Sequence, residues 1–134
     1  MQIEKRKVAI YCRVASKDDF AIESQCQNLR HFAAAQGYED CTEYLDNGVN
    51  GLTLDRPALN SLNDDIIKGK IQIAFVASAS RIGRDFGPVF KWLDFAKSSS
   101  VKVISQSGDI QNGETLHTIS KISKVKNKKR NKRI

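Results

Sequence analysis

The sequence predicts an α/β fold: one domain with a mainly parallel central β-sheet and helices on both faces. Three observations predict it. Short apolar, partly β-branched runs alternate with longer stretches of helical periodicity, in the order strand, helix, strand, helix, strand, helix, strand. The runs at 8–12 and 71–78 are apolar enough to read as buried strands. The chain has 134 residues, 40% of them apolar, which suits a single domain whose core needs no disulfide or metal staple.

Taken in order, residues 8–12 form the first strand, and the polar stretch 13–20 is expected to be a loop. Ile22, Cys26, Leu29 and Ala33 recur at helical spacing, so an amphipathic helix follows, with Gly37 supplying a left-handed residue just past its end. Residues 41–46 read as the second strand, running into the turn-rich Asn47-Gly48-Val49-Asn50-Gly51. Pro57 suits the first position of a helix, where its missing N–H costs nothing, with Asp55 or Arg56 at the cap. Leu59, Leu62 and Ile66 line the inner face of that helix and Gly69 ends it. Residues 71–78 make the third strand. Residues 85–98 make the third helix, with Phe86, Val89, Phe90, Leu93 and Ala96 facing inward and Pro88 in its tolerant first turn. Residues 101–105 complete the sheet. Beyond them, Leu116, Ile119 and Ile122 give 114–125 only a thin helical stripe, and the remainder to 134 has the composition of a disordered tail. The expected division is a globular region 1–107 and a basic tail 108–134.

Charge separates the same two parts. The chain carries 22 Lys and Arg against 15 Asp and Glu, a net +7. Residues 115–134 hold 8 of those cations and no acid, which leaves the rest of the chain close to neutral. Lys121, Lys124, Lys126, Lys128, Lys129 and Arg130 are the candidate contacts to a polyanion, because such side chains displace condensed counterions from nucleic-acid phosphates. A solvated, frayed terminus is the plainer reading of the same run.

Other classes find little support. No apolar run approaches the ~20 residues of a membrane span. Met1-Gln2-Ile3-Glu4-Lys5-Arg6-Lys7 has no apolar segment behind it, so no secretory signal is expected and the cytoplasm is the expected location. Cys12, Cys26 and Cys41 are odd in number and widely spaced, and His31 and His117 lack partners at zinc-ligand spacing; reduced thiols and no metal are expected. No glycine-rich phosphate loop occurs, which counts against an unrelated phosphoryl- or nucleotide-binding domain of flavodoxin type; no cofactor and no small-molecule substrate is expected.

Ligands of parallel sheets bind outside the carboxyl ends of the strands. That rim gathers Arg13 and Ser16 after the first strand, Asp46 at the end of the second, Arg56 at the next helix start, and Arg81 and Arg84 after the third. A single arginine there would pair with Asp18, Asp55 or Asp85 on a solvated surface. Four guanidinium groups converging on one edge repel one another unless an anion lies between them, and Arg is the side chain best shaped to hold a phosphate. A serine among them is a candidate nucleophile toward a phosphodiester.

Five segments carry a family resemblance: Tyr11-Cys12-Arg13-Val14-Ala15-Ser16; Ser24-Gln25; Tyr44-Leu45-Asp46-Asn47-Gly48-Val49-Asn50-Gly51; Leu54-Asp55-Arg56-Pro57-Ala58-Leu59; and Ser80-Arg81-Ile82-Gly83-Arg84. In this order and spacing they resemble the catalytic domain of serine site-specific recombinases, the resolvase/invertase family. The resemblance runs from about residue 8 to 107. It implies cleavage and rejoining of double-stranded DNA through a 5′-phosphoserine link, without metal or nucleotide, by a homodimer or tetramer of the full protein. Arg13, Arg56, Arg81 and Arg84 match the family's phosphate-binding arginines; Asp46 and Gln25 match the polar residues that organise the site.

Three departures stand out. The family pattern places its nucleophile two residues after the first arginine, where this chain has Ala15, and Ser16 follows one residue later. Either the loop is shifted and Ser16 attacks, or the chain is a catalytically impaired module that binds DNA or pairs with a full-length recombinase. Ser80 stands where the family has an acid that helps order the arginines. Residues 113–125 only faintly resemble the start of the family's long helix, and no DNA-reading motif follows, so an excised domain or a truncated gene product is expected.

Overall fold

The alternating pattern becomes a four-stranded parallel sheet in the computed structural model, which describes residues 6–111 and the backbone of 114–115. The elements run β1 (Lys7–Val14), α1 (Asp19–Ala35), β2 (Cys41–Asn47), α2 (Pro57–Ile67), β3 (Ile71–Val76), α3 (Ala79–Ile82), α4 (Phe86–Ser98) and β4 (Lys102–Ser105). A two-stranded antiparallel ribbon, β5 (Ile110–Gln111) with β6 (Glu114–Thr115), follows. Strand order is β2-β1-β3-β4. The chain therefore steps outward from β1 to β2, then returns across β1 to β3. That reversal leaves a crevice between the carboxyl ends of β1 and β3, the place where such sheets take ligands.

Strand alternation divides the core. On one face Val8, Ile10, Cys12 and Val14 of β1 pack with Ile22, Cys26, Leu29 and Ala33 of α1. On the other, Ala9 and Tyr11 pack with Leu59, Leu62 and Ile66 of α2 and with Val89, Trp92, Leu93 and Ala96 of α4. Leu29, Leu59 and Leu62 are fully buried, and each such side chain contributes about 1.5–3 kcal/mol of apolar transfer energy. Local signals agree with the elements. Asp18 caps α1 by accepting from Ala21 N–H at 3.0 Å. Gly37, just past α1, has φ +96°, the left-handed conformation only glycine adopts without cost.

The structure corrects the expected elements in four places, the last of them the presence of α3. First, β1 is longer than expected: Arg13 and Val14 pair with Asp46 and Asn47, so Arg13 lies in a strand and not in a loop. A charged residue interrupts the apolar run, but its side chain finds partners across the sheet end and its backbone stays in the ladder. Second, α4 is rotated from the expected phase. Val89, Leu93 and Ala96 are buried as expected, but Phe86 and Phe90 are about two-fifths exposed and touch each other, with ring centroids 5.9 Å apart. Trp92 takes the inner position, its indole N–H donating to Asn63 Oδ1 at 2.7 Å. Third, Glu114 and Thr115 are in a strand, not at the start of a helix; residues 116–125 of that expected helix lie outside the described residues. The short helix α3 was not expected at all. Among the described residues, no helix is long and apolar enough to cross a membrane.

Candidate active site

Alternation along β1 sets the site. Tyr11 faces α2 and α4, so Arg13, two residues on, points to the same side. In β2 the same holds for Tyr44 and then Asp46, and the parallel register sets Tyr11 beside Tyr44 and Arg13 beside Asp46. Two tyrosines, an arginine and an aspartate thus occupy adjacent strand ends on one face.

Arg56 joins them from the start of α2. It is fully buried. Its Nε donates to Thr53 O at 2.8 Å, its Nη1 to Tyr11 Oη and to Arg81 O at 3.0 Å each, and its Nη2 to Ile82 O. Four of the five guanidinium N–H groups are therefore spent inside the protein. Among the described residues, no carboxylate touches Arg56 directly. Compensation comes through Tyr11, whose hydroxyl donates to Asp46 Oδ2 at 2.7 Å. Asp46 in turn accepts from the backbone N–H groups of Ala58 and Leu59, at 2.9 and 3.1 Å. The cap residue of α2 is Arg56, which offers no side-chain acceptor, so a carboxylate from the neighbouring strand caps the helix instead.

Arg13 is also buried. Nε donates to Arg81 O at 3.0 Å, Nη1 to Val49 O at 2.9 Å and Nη2 to Ser80 O at 2.8 Å. Its backbone is gripped by Gln25, which accepts from Arg13 N–H at 3.1 Å and donates to Arg13 O at 3.2 Å. The Gln25 amide acts as one more strand at the end of the sheet. Arg81 Nη1 donates to Arg13 O at 3.1 Å, while its buried Nε has no hydrogen-bond partner among the described residues. Arg84 N–H donates to Gly51 O at 3.0 Å, and a Cβ at Gly51 would meet Arg84 Cγ at 2.6 Å and Arg13 Nη2 at 3.1 Å. The Arg84 side chain is exposed and makes no hydrogen bond or ion pair among the described residues. Glycine at 51 is what lets the two arginines close on the loop.

The rim thus brings Arg13, Arg56, Arg81 and Arg84 together, with Asp46 and Gln25 bracing them. Two of the four cations are buried, and Arg81 and Arg84 keep N–H groups without acceptors among the described residues. Burial, followed by the neighbouring Arg56, lowers the Arg13 pKa from its ordinary value. Burial, partly offset by Arg56, raises that of Tyr11, so its hydroxyl stays a donor to Asp46. Ser16 lies between β1 and α1, exposed and without a hydrogen bond among the described residues. Its neighbour Lys17 packs its backbone against Gly48, where an added Cβ would sit 3.1 Å from Lys17 N. Ser80 bonds the Ser78 hydroxyl at 2.7 Å and gives Arg81 no counter-charge.

Tyr11 belongs to the site through its bonds to Asp46 and Arg56, a role that its residue type alone does not mark. Its signal was its position, two residues before Arg13 on the same strand face. Lys121, Lys124, Lys126, Lys128, Lys129 and Arg130 lie outside the described residues. Among the described residues, no three His, Cys, Asp or Glu side chains group as metal ligands.

Fold and rim define a parallel α/β domain with a cationic crevice at the carboxyl end of its sheet. The chain belongs to the resolvase family: the model for "Resolvase, N terminal domain" matches residues 8–133. It is similar to the N-terminal catalytic domain of TP901-1 integrase, with 25% identity and a TM-score of 0.75 over 96% of this chain and 100% of that one. It is also similar to a resolvase family site-specific recombinase from Streptococcus pneumoniae, at 26% identity and a TM-score of 0.70, covering 96% and 90% of the two chains. A protein of Bacillus subtilis (strain 168), named "Putative DNA recombinase", is 29% identical over 109 residues. The matched region is 78% of this chain but only 21% of that relative's length.

Proposed function

We propose that this domain cuts and rejoins double-stranded DNA in site-specific recombination, with Ser16 as the nucleophile. The observation that carries the reading is the convergence of four arginines on one lip in a chain of the resolvase family. Ser16 Oγ attacks a backbone phosphorus, the bond from phosphorus to the 3′ oxygen breaks, and the serine proton ends on the departing 3′-hydroxyl. The 5′-phosphoserine so formed keeps the energy of the phosphodiester, and a 3′-hydroxyl from another strand reverses the step without ATP. Arg81, Arg84 and the remaining N–H groups of Arg13 meet the phosphoryl oxygens as their charge grows. Arg56, Asp46 and Gln25 hold these groups in place. Lys121, Lys124, Lys126, Lys128, Lys129 and Arg130 add phosphate contacts that position the duplex without reading its sequence. The full protein works as a dimer or tetramer, in the cytoplasm.

A second reading is favoured by one observation, Ala15 at the family's nucleophile position. In it, the chain is an impaired module that binds DNA or pairs with a full-length recombinase. Incubation with a pool of nicked duplexes, followed by a denaturing gel, separates the two. A covalent adduct mapping to Ser16, and lost in Ser16→Ala, is the expected result. DNA binding without any adduct establishes the second reading; an adduct that survives Ser16→Ala removes Ser16 from the mechanism.

A further inference from the structure

Asp109 sits in the turn between β4 and β5, outside the motifs that make up the arginine lip. Both of its carboxylate oxygens lie 3.1 Å from the backbone N–H of Ala79, the first residue of α3. Ser107 Oγ donates to Oδ1 at 2.8 Å and holds the carboxylate in that orientation. The turn is itself tied to the sheet: Gln106 N–H and Ser107 N–H donate to the carbonyls of Val76 and Ala77, at 2.8 and 3.0 Å.

Helix α3 needs such an anchor. It is four residues long, and one turn does not support itself through its own hydrogen bonds. Ser78, its cap residue, makes no side-chain cap bond and spends its hydroxyl on Ser80. Yet the carbonyls of Ser80, Arg81 and Ile82 are the acceptors that hold Arg13 and Arg56, and Arg81 reaches back to Arg13 O. With its Nε unpartnered, Arg81 depends for its placement on the helix that carries it. A carboxylate suits the role because the exposed N–H groups of a helix start carry partial positive charge.

We propose that Asp109 is a positioning residue for DNA cleavage: by anchoring the first N–H of α3 it fixes the three carbonyls that hold Arg13 and Arg56, and it sets the position of Arg81. This rests on the recombinase reading of the site. Asp109 touches no reacting atom. Its effect is geometric, of the kind in which a shift of ~1 Å costs on the order of 100-fold in rate.

The test uses Asp109→Ala and Asp109→Asn in the protein, with two readouts. The first is the rate of adduct formation on the pool of nicked duplexes, alongside DNA affinity. Asp109→Ala is expected to slow the adduct about 10- to 100-fold with little change in affinity. Asp109→Asn, which keeps an acceptor for Ala79 N–H, is expected to recover most of the rate. The second readout needs no activity: solvent exchange of the Arg13 side-chain Nε–H, followed by NMR against the backbone amides of Ala9 and Ala74 in the sheet. In Asp109→Ala, Arg13 Nε–H is expected to lose protection while the sheet amides keep theirs. Unchanged Arg13 protection, or an equal loss at Arg13 and the sheet, overturns the proposal. If the unmutated protein forms no adduct on any duplex, it is the recombinase reading that fails, and the exchange measurement still decides whether Asp109 positions the arginines.

Discussion

At Arg56 the cost of burying a charge is met without a direct ion pair among the described residues. Backbone carbonyls take most of its N–H groups, and Tyr11 relays the compensation to Asp46. Removing the guanidinium leaves the carbonyls of Thr53, Arg81 and Ile82 without donors in the interior, and an unsatisfied buried group costs ~1–3 kcal/mol. Arg56→Lys keeps the charge but loses the planar fork, so it should lower the denaturant-unfolding free energy by at least about 2 kcal/mol. An unchanged midpoint would show that the fork is not what the site needs. That the residues at 13, 46, 56, 81 and 84 belong together was legible from their places at strand and helix ends. What each does was not. Residue type and spacing say which rim a guanidinium occupies; only the fold says that Arg56 turns inward to the carbonyls while Arg84 stays outside.

Among elements, the helix α2 depends on the strand β2. Its first two available N–H groups end on Asp46, which therefore ties a helix start to a sheet edge. Asp46→Ala strands both donors and the Tyr11 hydroxyl, and a lost cap alone costs about 0.5–2 kcal/mol. The variant should melt earlier, and amide exchange should quicken first at Ala58 and Leu59; a loss spread evenly over the molecule would place the role of Asp46 elsewhere. The alternation of strands and helices, the proline at the head of α2 and the glycine after α1 could all be read from the chain, because each is a local preference. The end of β1, the existence of α3 and the phase of α4 could not. Arg13 continues a strand because partners arrive from residues 49, 80 and 81. Helix α3 takes from a distant carboxylate, Asp109, the cap that Ser78 does not give it. The α4 stripe contains apolar side chains on two adjoining faces, and the bond from Trp92 to Asn63 selects between them.

For the molecule as a whole, the buried hydroxyls and thiols set an alkaline limit. Burial raises Cys26 from 9.0 to about 11, and raises Cys12, Cys41, Tyr11 and Tyr44 in the same direction. These groups hold their protons longer folded than unfolded. Their stabilisation is complete below the unfolded value and is lost as pH rises toward the folded one, each titrating group steepening the fall by about 1.4 kcal/mol per pH unit. Unfolding free energy should therefore decline from roughly pH 9 upward. Cys26→Ser keeps a donor for Glu43 and removes one titrating thiol, so its alkaline limb should be shallower; an identical limb would take Cys26 out of the account. The lip itself rests on a different kind of support. Arg13 and Arg56 lean on main-chain oxygens at 80, 81 and 82, atoms every amino acid supplies. Divergence at Ser80 can thus proceed without dismantling the cradle, and a relative that has drifted at this point is recognisable by its backbone long after its side chains have stopped announcing it.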